Sequence, residues 1–242
     1  QRGAMEWQPE PNGKECWGSF IRLLWTRNLT IDGVTVADYA PPATGSGYSG
    51  TWAFMLGGRD GRVSGCTIKR RDYGTAIHND GIHLLHGQHW RIVGNDIQSG
   101  DDCVPIGGET TASLVAEPDA IRYVTLAGNT FDSTRGFAVR AYVLAGQTGT
   151  GWEVTNIIVD DCCGTAGAQR NGGIGVQDLN AGSAGAQIRN VTVNGVDLEV
   201  GSTTHDEVNA YGLWLQSAKN VTVNGRFKLT DKTSAATGFK LV

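Results

Sequence analysis

Val191-Thr-Val-Asn-Gly195 returns thirty residues later as Val221-Thr-Val-Asn-Gly225. The same frame stands five more times towards the N-terminus: Leu29-Thr-Ile-Asp-Gly33, Gly61-Arg-Val-Ser-Gly65, Trp90-Arg-Ile-Val-Gly94, Val124-Thr-Leu-Ala-Gly128 and Ile157-Ile-Val-Asp-Asp161. Steps between these turn anchors are 32, 29, 34, 33, 34 and 30 residues. Two places before each anchor lie Ile31, Val63, Ile92, Leu126, Val159, Val193 and Val223, all aliphatic. Three places after it, Val36, Ile68, Ile97, Phe131 and Leu198 repeat the apolar theme, whereas Gly164 and Lys228 do not. Alternation at period two marks short strands with one buried face. Such a strand recurring every 32 residues or so marks a solenoid whose coils stack neighbour on neighbour.

Further strands are expected in each coil, at Ala53–Leu56, Gly81–Leu85, Cys103–Ile106, Phe137–Tyr142, Gly173–Gln177 and Gly212–Leu215. No helical pattern separates them. The predicted fold is therefore all-β: a right-handed parallel β-helix of about seven coils, one domain over residues 1–242, roughly 34 Å long at about 4.8 Å per coil. A propeller fits less well, since its blades run to about 40 residues with a repeated signature. Irregular inserts at Pro41–Gly50, Gly108–Pro118, Ala145–Gly151, Asn180–Gly185 and Gly201–Asn209 are the natural carriers of function.

Composition agrees with this reading. Of 242 residues, 35 are Gly and only 18% are charged, which suits many turns and argues against a helix bundle. With 40% hydrophobic residues and 7 Trp the chain can fill a core. A formal net charge of −4 and a pI near 5.7 argue against a generic nucleic-acid groove or an anionic membrane patch. No apolar run is long enough to span a bilayer. The chain opens Gln1-Arg2-Gly3-Ala4 without an initiator Met, so a mature product or a fragment of something longer is expected. Five cysteines (Cys16, Cys66, Cys103, Cys162 and Cys163) are too few for a disulfide scaffold and lack zinc-like spacing, so buried thiols are expected. Asn-x-Thr at Asn28, Asn190 and Asn220 matches a glycosylation acceptor, but its return at one repeat position favours a structural role in the turn.

Because charge is scarce, two neighbouring acidic motifs stand out: His78-Asn79-Asp80-Gly81-Ile82-His83 and Gly100-Asp101-Asp102-Cys103-Val104-Pro105-Ile106. Asp80 and Asp101 are 21 residues apart, so a short coil would bring them onto adjacent rungs. Crowded carboxylates raise at least one pKa, as a general acid requires. Asp-Gly and Gly-Asp are also ordinary turn pairs. Three carboxylates without cationic partners would nevertheless be a poor structural choice. His78, His83, His86 and His89 cluster within 12 residues and raise the question of a metal site. On an alternating strand His83 would face outward beside Asp80, while Ile82 and Leu84 face inward. Trp52, Trp152 and Trp214 are candidates either for sugar stacking or for packing.

Asp80-Gly81 followed by Gly100-Asp101-Asp102-Cys103-Val104-Pro105-Ile106 resembles the polygalacturonases, glycoside hydrolase family 28, within the pectin-lyase-like β-helices. That resemblance implies Asp101 as general acid and Asp80 and Asp102 as the carboxylates activating water, with inversion at the anomeric carbon. Asn79, His83, Arg135, Arg140 and Gln177, placed around the same face, are the expected sugar contacts. Departures are plain: Thr134-Arg135-Gly136 stands where the family has Gly-His-Gly, and Gly175-Val176-Gln177 where it has Arg-Ile-Lys. The family's usual partner of Cys103 corresponds to Phe131. The missing cationic groups weaken the case for galacturonate; the similar dextranases and α-1,3-glucanases act on neutral glucans.

The expectation is thus a secreted polysaccharide-degrading hydrolase with a polysaccharide as its partner, neither nucleic acid nor membrane, and no cofactor or metal. A uronate lyase is the first alternative: Asp80, Asp101 and Asp102 would hold Ca²⁺ and Arg135 would be the base. A glycan-binding fibre segment, as in a phage tailspike on the virion surface, is the second. Open coil ends need covering, so a homo-oligomer is expected, a trimer if tailspike-like.

Overall fold

The computed structural model describes residues 18–37, 51–69, 79–107, 120–144, 146–147, 152–166, 171–180, 187–201, 210–229 and 237–241. All of its strand pairings are parallel, and they wind the chain into a β-helix with three faces. The first face stacks β2 (Thr30–Asp32), β4 (Thr51–Ser64), β6 (Asn79–Val93), β9 (Ile121–Ala127), β12 (Val154–Asp160), β15 (Ile188–Val200) and β17 (Lys219–Leu229). The second stacks β3 (Thr35–Ala37), β5 (Thr67–Lys69), β7 (Asp96–Ser99), β10 (Thr130–Ser133) and β13 (Cys163–Ala166), then the later parts of β15 and β17. The third is built from β1 (Gly18–Arg27), the early parts of β4 and β6, β8 (Val104–Ile106), β11 (Phe137–Val143), β14 (Asn171–Asp178), β16 (Ala210–Gln216) and β18 (Thr237–Leu241).

Ile31, Val63, Ile92, Leu126, Val159, Val193 and Val223 pair rung to rung in one column, as the repeat predicts. The stack makes about five turns against the expected seven or so, a minor difference, and this column runs through seven rungs. The expected extra strands fall on β4, β6, β8, β11, β14 and β16, with Cys103 just ahead of β8. The inserts between them fall almost wholly outside the described residues.

Two left-handed backbone positions explain the anchor. Gly33, Gly65, Gly94, Gly128 and Gly195 have φ between 59° and 63°, and Asp161 takes the same turn at 48°. Glycine is favoured there because a Cβ is penalised at positive φ. A second left-handed corner stands five residues before each anchor, at Asn28, Asp60, His89, Tyr123, Asn156, Asn190 and Asn220, with φ of 53° to 60°. This corner supports the structural reading of the Asn-x-Thr sites. The amide of Asn190 donates to Asn156 (3.2 Å) and that of Asn220 to Asn190 (3.1 Å), forming a ladder. Gly225 departs from the anchor pattern: the register slips, Gly225 pairs with Val196, and Phe227 rather than Lys228 pairs with Leu198. Phe227 packs on the core, so the apolar column continues where the spacing alone placed a lysine.

Inside the turns, buried polar groups are stacked and satisfied. Asn95 accepts the amide of Cys66 (2.9 Å), while Asn129 accepts both the backbone amide (3.0 Å) and the side-chain amide (2.9 Å) of Asn95. Asn129 in turn donates to the Ile92 carbonyl (2.8 Å). Gly61, the one non-apolar residue four places before an anchor, lies under Trp90; a Cβ there would come within 2.3 Å of the indole. Trp90 is fully buried and its Nε1 donates to the Gly58 carbonyl at 3.0 Å, so one large ring fills the space of two rungs. Cys66, Cys103 and Cys162 are buried free thiols and Cys163 an exposed one; Cys16 lies outside the described residues.

Candidate active site

The two acidic motifs meet on the third face because backbone pairing brings them there. The Asn79 carbonyl, at the start of β6, accepts the amides of Gly100 (3.0 Å) and Asp101 (2.9 Å). Gly81 and Ile82 then donate to the carbonyls of Asp102 (3.0 Å) and Cys103 (2.9 Å). With the strands so clamped, the Asp102 amide donates to Asp80 Oδ1 at 3.1 Å. Ser99 and Ser133 both donate to the Asp101 carbonyl, at 2.7 and 2.6 Å, tying the acidic turn to its own coil and the next. The expected stacking of Asp80 with the Gly-Asp-Asp turn is therefore present.

The following coil closes over Asp102. Cys103 donates to the Phe137 carbonyl (2.9 Å), and the Phe137 amide donates to Asp102 Oδ1 (2.7 Å). Gly136 presses against this carboxylate; a Cβ there would lie 2.3 Å from Asp102 Oδ1 and 2.5 Å from backbone atoms of Asp101 and Asp102. The turn Thr134-Arg135-Gly136 thus abuts the acidic motif, with Arg135 half-buried and in no ion pair among the described residues. Arg140 reaches back from β11, with Nη1 3.6 Å from Asp102 Oδ2. Gln177, on the next coil, accepts from Arg140 Nε at 2.8 Å. The Arg140 guanidinium also lies 4.7 Å from the Tyr142 ring centre and 5.7 Å from that of Phe137.

His83 does face outward beside Asp80, with Nδ1 3.4 Å from Asp80 Oδ2, but it is buried rather than open to solvent. Its Nε2 is 3.0 Å from the Gly107 carbonyl, which can only accept, so that nitrogen carries a proton. The Tyr142 hydroxyl lies 3.1 Å from the same nitrogen. Asn79 and Gln177 are likewise buried. His83, Asn79 and Gln177, expected as sugar contacts, therefore support Asp80, the acidic turn and Arg140 respectively.

Burial most of all, then the Asp101 carboxylate, pushes the Asp102 carboxyl up to about 8 from an ordinary 3.8; Asp80 adds to the rise and Arg140 opposes it. Burial alone would depress the Arg140 guanidinium, but the three aspartates around it leave it raised. The coupled cluster thus holds a proton at neutral pH beside a permanent cation. Among the described residues no group of three or more His, Cys, Asp or Glu side chains is placed to hold a metal ion, so the three-aspartate Ca²⁺ site of the lyase expectation is not formed by these side chains. His86 and His89 sit apart, the first against Trp25 (4.0 Å between ring centres) and the second against Tyr123 (5.2 Å), while His78 lies outside the described residues.

Sequence reasoning missed Tyr142, Phe137 and the two serines, and it placed Arg140 at the sugar rather than against Asp102. The alternation of β11 held the missing signal: Val139 and Ala141 are core residues, so Arg140 must project outward onto the acidic face. Trp52 packs with Met55 and Leu85, Trp152 lies against the core, and Trp214 neighbours Phe137 and Tyr211. The tryptophans thus act in packing. No protein-family model matches the chain, and no curated protein does.

Proposed function

We propose that this β-helix is a polysaccharide-degrading glycoside hydrolase acting with inversion through Asp80, Asp101 and Asp102. The observation that carries the reading is the Asp102 amide bonded to Asp80 Oδ1 across a coil boundary, which gathers three carboxylates around one guanidinium. One proton retained among them supplies the acid, and the ionised remainder supplies the base. Half-buried Asp101 passes to the glycosidic oxygen the proton that buried Asp102 holds, and Asp80, with Asp102 once it is ionised, draws one from the attacking water. His83 and Gln177 hold Asp80 and Arg140 in place, and Arg135 is the side chain left to meet the sugar.

The test is a reducing-end assay over a panel of acidic and neutral polysaccharides, with and without chelator, comparing wild type with Asp101→Asn. Reducing ends that form without an unsaturated chromophore and vanish in the variant are expected. An unsaturated product would replace the reading with a lyase. Full activity in Asp101→Asn would refute the assigned role, and silence on every polymer would favour a binding fibre.

A further inference from the structure

We infer that a second, separate surface of the rod binds an acidic polysaccharide: the ridge of Arg27, Arg59, Arg62 and Arg91 around the stacked rings of His89 and Tyr123. Arg27 pairs in register with Arg59 on the next coil, and Arg62 with Arg91. Like charges on directly opposed positions destabilise a sheet. Here all four side chains are exposed, and none makes an ion pair among the described residues; Arg62 only donates to the Ser64 hydroxyl, at 3.1 Å. The same column further along is treated differently. There Arg122 and Arg189 flank a buried Glu153, which accepts from both at 3.0 to 3.1 Å. That half of the column carries its own counter-charge, whereas Arg27 and Arg59, with Arg62 and Arg91 in the neighbouring column, leave four guanidiniums for an outside anion.

The corner between the two arginine columns points to a sugar polymer. Five of its seven positions hold Asn or Asp, residues that take a left-handed conformation at low cost. The next two positions instead hold aromatic rings, His89 (φ 57°), a residue type that takes this backbone readily, and Tyr123 (φ 59°), a bulky one for which it is unfavourable. Their rings stack at 26°, and Tyr123 is 52% exposed. An exposed aromatic face flanked by cations suits a pyranose carrying carboxylate or sulfate. Asp60, the acid on this corner, is held by His89 Nδ1 at 3.2 Å. A net charge of −4 over the whole chain opposes a long nucleic-acid footprint, leaving this ridge a local exception. Gln88, on the ridge, is eight residues from Asp80 along β6, so the ridge is distinct from the aspartate cluster and does not depend on its being catalytic.

The test uses the whole chain with Asp101→Asn, so that no polymer is cut, and reads fluorescence anisotropy with labelled polygalacturonate and labelled dextran sulfate. Neutral dextran and a single-stranded oligodeoxynucleotide are the comparisons. Both acidic polysaccharides should bind at about 50 mM salt and weaken roughly tenfold to a hundredfold by about 200 mM. Arg59→Ser with Arg91→Ser should weaken binding at least about tenfold and flatten that salt dependence, with an unfolding midpoint that is unchanged or raised. Arg226→Ser with Lys228→Ser, the same loss of two positive charges on another face, should bind as the parent does. Equal binding by the Arg59/Arg91 variant, absence of binding at low salt, or an oligonucleotide bound as tightly as the polysaccharides would each overturn the inference. Preference for one acidic polymer over the other would name the anionic group.

Discussion

Replacing Asp102 with Asn should make the protein more stable and less active, with a gain that grows as pH rises. Asp102 is 4% exposed, and its carboxyl titrates near 8 in the folded chain against an ordinary 3.8. A carboxyl with a raised folded pKa binds its proton more tightly folded than unfolded. Its contribution to stability is therefore fully present below about pH 4 and is lost as pH rises towards 8. At about 1.36 kcal/mol per pH unit an isolated group of this kind would cost about 5 kcal/mol across that window. Sharing of the proton with Asp101 and Asp80 reduces the net effect of the one substitution to about 2 kcal/mol. Asparagine keeps an oxygen for the Phe137 amide and removes the charge. The expected gain in Tm is about 4–8 °C at pH 8 for a chain of this size, shrinking to near zero at pH 4. Scanning calorimetry of both proteins from pH 4 to 8 measures this directly. A variant destabilised equally at every pH, or more at pH 8 than at pH 4, would show that the carboxylate–Arg140 pair stabilises the fold and that the cluster retains no proton.

Three further outcomes are expected. Gly136→Ala places a methyl 2.3 Å from Asp102 Oδ1 and against backbone, so the turn must move; a loss of about 1–3 kcal/mol in urea unfolding, together with lost turnover, is expected. Asn129→Ala strands buried groups of Asn95 and the Ile92 carbonyl; a loss of about 2–4 kcal/mol is expected, and an unchanged midpoint would mean the ladder contributes nothing. In a Cys16→Ser background, a thiol reagent should modify Cys163 in the native protein, and Cys66, Cys103 and Cys162 only on unfolding. Burial pushes the Cys103 thiol up to about 12, which further slows it. Rapid native reaction of a second thiol would contradict the packed turns.

What could be read from the chain follows the physics of a repeat. Period-two alternation and the anchor glycines are local properties, so Ile31 through Val223 could be aligned without coordinates, and the alignment matches the observed column. The one failure, Lys228 for Phe227, came from a single-residue register slip, which moves a side chain to the opposite face and has no local signature. The acidic motifs were equally visible, because charge is scarce and Asp80, Asp101 and Asp102 sit in conspicuous turns.

The environment of those aspartates was another matter. Asp102, Arg140 and Gln177 belong to successive coils, 38 and 37 residues apart, and only the stacking register brings them together. The same holds for His83 and Tyr142, 59 residues apart, and for the burial that turns expected sugar contacts into supports. The alternating pattern by itself determined that this chain coils and which residues face the core, because those choices depend on near neighbours in sequence. Tertiary structure alone decided which outward residues share a rung, which of them are desolvated, and hence where a proton is held. Desolvation and Coulomb energy depend on distances through space that the inserts between strands set coil by coil.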